Sequence, residues 1–156
     1  MSKHYLQKIN LDMGKDEYNM YRAIPAEEIG YENPAHHMNY NEWREYLKEN
    51  IKQENSIDNP RITYIMYLEK YPIGIASLRP KDASNGNISY CIRPVCRGSG
   101  LGTKILDLLI HEAQKLNMTS LLGQCNKNNL VSQKTMIKNG MVLYKQDDFS
   151  KFYRLK

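Results

Sequence analysis

The chain has 156 residues, 41% of them hydrophobic and 25% charged, a size and balance that suit one domain over 1–156 and exclude long disorder. Its net charge of +5 and pI near 9.0 attract polyanions, but lysine and arginine are spread along the chain, which speaks against a dedicated nucleic-acid surface. There is no apolar run of membrane-spanning length, the first residues lack the apolar core of an export signal, and Cys91, Cys96 and Cys125 show no metal-ligand spacing, so we expect a cytoplasmic, metal-free protein with reduced thiols.

The pattern predicts a first strand over His4 to Asp12, with Tyr5, Gln7, Ile9 and Leu11 on one face. Asp16 to Ala23 reads as a helix, ended by Ile24-Pro25, because the residue before proline avoids helical geometry. Residues 25–39 read as an irregular, polar and aromatic connection, a candidate substrate loop. A second helix follows with Asn39 or Asn41 as its cap, and Trp43, Tyr46, Leu47 and Ile51 form its apolar face. The period then changes to that of strands: Ile62 to Leu68, a turn at Glu69 to Pro72, Ile73 to Leu78, a loop at 80–87, and Ile88 to Ile92 closed by Pro94.

The strongest helix comes next, with Leu101, Ile105, Leu108, Leu109 and Leu116 on one side and a stop near Asn117. A short strand over Leu121 to Cys125, a helix over Asn129 to Asn139 ended by Gly140, and a hairpin of Met141 to Lys145 with Phe152 to Leu155 complete the chain. The order β-α-α-β-β-β-α-β-α-β-β predicts an α/β fold of the α+β mixed-sheet kind, a central sheet with helices on both faces.

The segment Ile92-Arg93-Pro94-Val95-Cys96-Arg97-Gly98-Ser99-Gly100-Leu101-Gly102-Thr103 joins a strand to that long helix. Glycines let an anion approach the backbone, and the first amides of a helix point outward at the positive end of its dipole. A phosphate or diphosphate is favoured there, and Arg97 adds a charge capable of a bidentate contact. A Walker loop is excluded because no Gly-Lys-Ser/Thr occurs; a Rossmann fingerprint is excluded because Thr103 stands where its third glycine belongs.

Arg97-x-x-Gly100-x-Gly102, preceded by Ile92-x-Pro94, resembles the signature of the GNAT superfamily of N-acetyltransferases. Asn129-x-x-Ser132 and Asn139-Gly140 resemble that family's late helix and the glycine after it. Glu28-x-Gly30-x-Glu32-Asn33-Pro34 and Ser77-Leu78-Arg79 resemble segments of a bacterial subgroup of predicted acetyltransferases. The resemblance implies acetyl-CoA as cosubstrate, with its diphosphate on the amides of Arg97, Gly98, Ser99, Gly100, Leu101, Gly102 and Thr103. It also implies a pantetheine arm along Cys91, Ile92 and Val95, near Asn129 and Ser132, and an amine partner attacked directly in a ternary complex. A homodimer is compatible with it.

The chain departs from the family in two places. Met136 stands where many members carry a proton-donating tyrosine, and Ile88-Ser89-Tyr90-Cys91 holds no carboxylate where many carry a glutamate base. Tyr90 and Glu32 are the catalytic candidates; Glu32, Asn33 and Arg79 are candidates for holding the acceptor, with His36 and His37 as further bases. A sensing module that binds coenzyme A without turnover and a polyanion-binding domain are the alternatives to catalysis.

Overall fold

The computed structural model describes residues 3–28, 31–81 and 86–155. Strand β1 is His4–Lys8, shorter than the predicted 4–12. Asn10 Oδ1 accepts the Asp12 N–H at 2.9 Å, and this turn ends the strand and leaves Leu11 exposed. Helix α1, Lys15–Ala23, starts where Glu17 folds back onto the Gly14 N–H (2.8 Å).

The connection expected to be irregular holds some order. Glu27–Glu28 (β2) pairs with Tyr31–Glu32 (β3), and Pro34–His37 forms a single 3-10 turn. Residues 29 and 30 of that segment lie outside the described residues, as do 82–85 of the predicted 80–87 loop. Helix α2, Tyr40–Gln53, is capped by Asn39 and not Asn41: Asn39 Oδ1 accepts the Glu42 N–H (2.8 Å) and Glu42 returns the bond (2.9 Å).

Strands β4 (Ile62–Leu68), β5 (Tyr71–Leu78) and β6 (Ile88–Ile92) join β1 in the antiparallel order β1-β4-β5-β6. Almost every residue of β4 and β5 is buried, because helices cover both faces. The period of two sorts them. Tyr64, Met66, Ala76 and Leu78 face a core that includes Ile105, Leu106 and Leu109 of helix α3, Leu101–Lys115. Ile65, Tyr67, Ile75 and Cys91 face the opposite core, built around Trp43 of α2 and Tyr18 and Tyr21 of α1. Trp43 is fully buried, with the rings of Tyr18, Tyr21 and Tyr40 each 5.8 Å away.

The last elements are β7 (Leu121–Asn126), α4 (Leu130–Lys138), β8 (Val142–Gln146) and β9 (Ser150–Leu155). They form a second antiparallel sheet in the order β7-β9-β8. The α/β architecture with helices on both faces is the expected one, but the sheet divides between β6 and β7. Those strands are tied at one end only, where the Asn87 N–H donates to Leu122 O (2.6 Å) and the Leu122 N–H to Asn87 Oδ1 (2.9 Å). Beyond that point no ladder joins them among the described residues.

Candidate active site

The gap between β6 and β7 opens into a cleft of about 720 Å³ that reaches the β2–β3 ladder and the start of β4. The glycine loop follows from the end of β6, the strand that lines this cleft with Ile88, Ser89 and Tyr90. After β6, Pro94–Cys96 makes one 3-10 turn and Arg97 is extended. Gly98 and Gly100 then take φ of +91° and +81°, the left-handed region that a side chain strains. A Cβ at either position would meet nothing within 4 Å, so handedness and not crowding selects glycine here. The N–H groups of residues 98 to 103 have no acceptor among the described residues; the first amide to find one is Lys104, on Gly100 O (3.2 Å). Six successive free donors at the start of α3 make a site for an anion of phosphate type.

Arg97 itself points elsewhere. Its guanidinium grips the Glu28 carboxylate through two nitrogens, one of them at 2.6 Å from Oε2, and its Nε donates to Ile92 O (2.9 Å). The hydrogen bond from Arg97, helped by its charge, holds Glu28 below the usual carboxylate range against an opposing effect of burial. The expected charge at the rim of the loop is thus committed to β2, and in this conformation the amides alone are free for phosphate. Val95 is 85% exposed on the 3-10 turn, so only its backbone lies along the loop.

Below the loop, the edge of β6 faces the gap. The Arg93 N–H donates to Ile73 O at 2.8 Å, and Ile92 is paired with Gly74. Antiparallel alternation therefore turns the N–H groups of Ile92 and Tyr90 away from β5, toward β7. The Tyr90 hydroxyl lies 3.0 Å from Ser132 Oγ on α4, and burial pushes its pKa up to about 12. It keeps its proton at neutral pH. Asn129 caps α4, its Oδ1 accepting the Ser132 N–H (3.1 Å), which places both predicted late-helix residues beside Tyr90. Met136 is buried over Gly123, where a Cβ would stand 3.0 Å from its sulfur.

Cys91 is buried on the α1–α2 side, and burial raises its thiol to about 11 despite the nearby Arg97. A thiol in that state is a poor nucleophile.

The acceptor candidates separate. Glu32 lines the cleft opposite Glu27 in the β2–β3 ladder, and Arg79 lines it from the end of β5. Asn33 borders the cleft but its amide is spent: Nδ2 donates to Tyr21 O (2.7 Å) and Ile24 O (2.8 Å), and Oδ1 accepts the Ala35 N–H (3.2 Å). It fastens the connection onto α1, so both of its donors are unavailable to an acceptor. His36 donates from Nδ1 to Ile24 O (2.8 Å), and neither it nor His37 lines the cleft. Arg61, Tyr21, Tyr31 and Tyr46 line it without having been expected. Only Arg61 left a trace in the sequence, since it shares the parity of Thr63 on a predicted strand.

No group of three or more His, Cys, Asp or Glu among the described residues could hold a metal ion. No helix among them is long and apolar enough to cross a membrane.

Comparison with known proteins agrees with this geometry. The profile of the acetyltransferase (GNAT) domain family matches residues 13–142. No curated protein sequence matches the chain. Among solved structures, Campylobacter jejuni N-acetyltransferase PseH in complex with acetyl coenzyme A superposes with a TM-score of 0.71 at 14% identity, covering 99% of both chains. Microcin C7 self immunity acetyltransferase MccE, in complex with acetyl-CoA and AMP, gives 0.77 at 14% identity over 98% of this chain and 92% of its own. Ribosomal-protein-S5-alanine acetyltransferase from Vibrio fischeri gives 0.75 at 12% identity over 99% and 96%. The profile covers most of the chain, and the chain belongs to the GNAT acetyltransferase family.

Proposed function

We propose that the protein transfers an acetyl group from acetyl-CoA to a primary amine by direct attack in a ternary complex. The observation that carries this reading is the run of six unpaired amides at 98–103, just after the strand β6 that lines a cleft a second substrate can enter. Neighbours of the same fold hold acetyl-CoA, which supports the choice of anion. Bound there, acetyl-CoA supplies the activated thioester.

The chain's own residues fit the remaining tasks. The Ile92 N–H, turned into the gap, is the donor available to a carbonyl oxygen as negative charge develops on it. Arg97 holds the next peptide along, through Ile92 O. Tyr90 retains its proton and offers a hydrogen bond toward charge developing on sulfur, the task left open by Met136. Glu32, with Glu27 opposite, attracts an ammonium and takes its proton, the task left open by the absence of a carboxylate on β6. The inert Cys91 thiol favours direct attack over an acetylated cysteine.

Met136 and the carboxylate-free β6 favour one rival, a module that binds coenzyme A and does not turn over. Titration calorimetry with acetyl-CoA, followed by thiol release against a panel of amines, decides between them. Binding with release dependent on amine is expected. Binding without release on any amine leaves the sensing module, and no binding removes both.

A further inference from the structure

One end of the cleft is not used by the transfer chemistry. Arg61 precedes β4 and Arg79 follows β5. The ladder ends where Ile62 pairs with Leu78, and the two arginines continue its register one step beyond, at the parity of Thr63 and Ser77. Both line the cleft. Like charges opposed across neighbouring strands repel, so the pair weakens the fold unless something neutralises it. Nothing among the described residues does. No carboxylate lies within ion-pair distance of either, Glu27 and Glu32 of the same cleft included. Arg61 donates from one terminal nitrogen to the neutral Asn50 Oδ1, and its buried Nε has no acceptor.

The surrounding wall is also rich in unused donors. Tyr21, Tyr31 and Tyr46 line the cleft, and their hydroxyls have no hydrogen-bond partner among the described residues. Burial raises the pKa of Tyr21 and Tyr31, outweighing the opposite pull of Arg61, so both stay protonated and able to donate. The Arg79 guanidinium, the remaining terminal nitrogen of Arg61 and three phenols line one cleft, and none of them has an acceptor among the described residues.

We propose that this end of the cleft receives an oxyanion carried by the acceptor, so that the substrate is an amine bearing a phosphate group. The proposal rests on the acetyl-transfer reading and narrows its substrate class. The donor supply favours phosphate over carboxylate: a terminal phosphate offers three oxygens to the Arg79 fork, the remaining terminal nitrogen of Arg61 and the phenols, a carboxylate only two.

The test titrates O-phosphoethanolamine, β-alanine and ethanolamine into wild type and Arg79→Gln, with coenzyme A present at saturation so that the glycine loop is filled. O-Phosphoethanolamine is expected to bind at least about tenfold more tightly than ethanolamine, and this advantage to shrink about tenfold in Arg79→Gln. Arg79→Lys, which keeps the charge and loses the fork, falls between them and serves if Arg79→Gln fails to fold. Equal binding of the three amines, or an advantage that survives Arg79→Gln, overturns the proposal; tighter binding of β-alanine overturns the choice of phosphate. Coenzyme A binding is read first and alone. Its absence removes the transfer reading, and the amine series on the coenzyme-free protein still decides the anion site.

Discussion

The glycine loop and the acceptor side of the cleft are built from different materials. The glycine loop offers main-chain amides, set by two left-handed glycines and the start of one helix, all within residues 98–103. The acceptor side offers side chains from α1, β2, β3, α2 and the ends of β4 and β5, brought together from 21 to 79 along the chain. A backbone site recognises what every donor molecule shares, a diphosphate. A side-chain site can change residue by residue without disturbing the helix start above it. On the proposed function, one carries the family's common ligand and the other the individual substrate. The Arg97–Glu28 fork is the direct bond between them, loop to β2.

The comparison can be broken most sharply at the loop. Gly100→Asp puts a carboxylate beside the free amides while tolerating the left-handed backbone better than most residues. Acetyl-CoA affinity is expected to fall on the order of a hundredfold by calorimetry, with the melting temperature changed little. Retained affinity would mean that the amides of 98–103 are not the phosphate site.

Tyr90→Phe probes the gap between the two sides. A fall in kcat of about tenfold with little change in the KM for acetyl-CoA is expected from the proposed role of Tyr90 toward developing charge. Loss of the hydroxyl also removes its contact with Ser132, which costs about 1 kcal/mol of stability in denaturant titration. An unchanged kcat would take Tyr90 out of the chemistry.

The smallest effect lies in the fork. Glu28 is held below its ordinary pKa when folded, so its contribution to stability is complete above the unfolded value of about 4.3 and is lost as pH falls through the lower folded value. Wild type should exceed Glu28→Gln by about 0.5–1 kcal/mol at pH 6 to 7, discounted for partial exposure, and the two should converge as the pH falls through the lowered folded value. A difference that does not shrink on acidification would show that the fork does not titrate as described.

Where local chemistry sufficed, the reading from residues held. The positive-φ glycines, the Asn39 and Asn129 caps, the stop at Asn117 and the periods of β4, β5 and α3 all depend on a few adjacent residues. One local signal competes with the strand period: the Asn10 turn abolishes the strand face on which Leu11 is expected. The other departures arise where a more distant partner decides. The 25–39 connection contains a two-residue ladder that only pairing across it can form. Asn33 is polar and loop-borne, which suggested an acceptor role, yet its carbonyl partners on α1 are nine and twelve residues away. Arg97 belongs to the motif, but its side chain answers to Glu28, sixty-nine residues earlier.

By itself the sequence determined the glycine loop, the helix that follows it and the order of elements, because glycine handedness, free first-turn amides and hydrophobic period act over a few residues. Tertiary structure alone decided that Arg61 and Arg79 line one cleft and that the tyrosines of α1, β3 and α2 join them. These are meetings between segments far apart in the chain, set by strand register and by the packing of α1 and α2 around Trp43, and no local pattern encodes them.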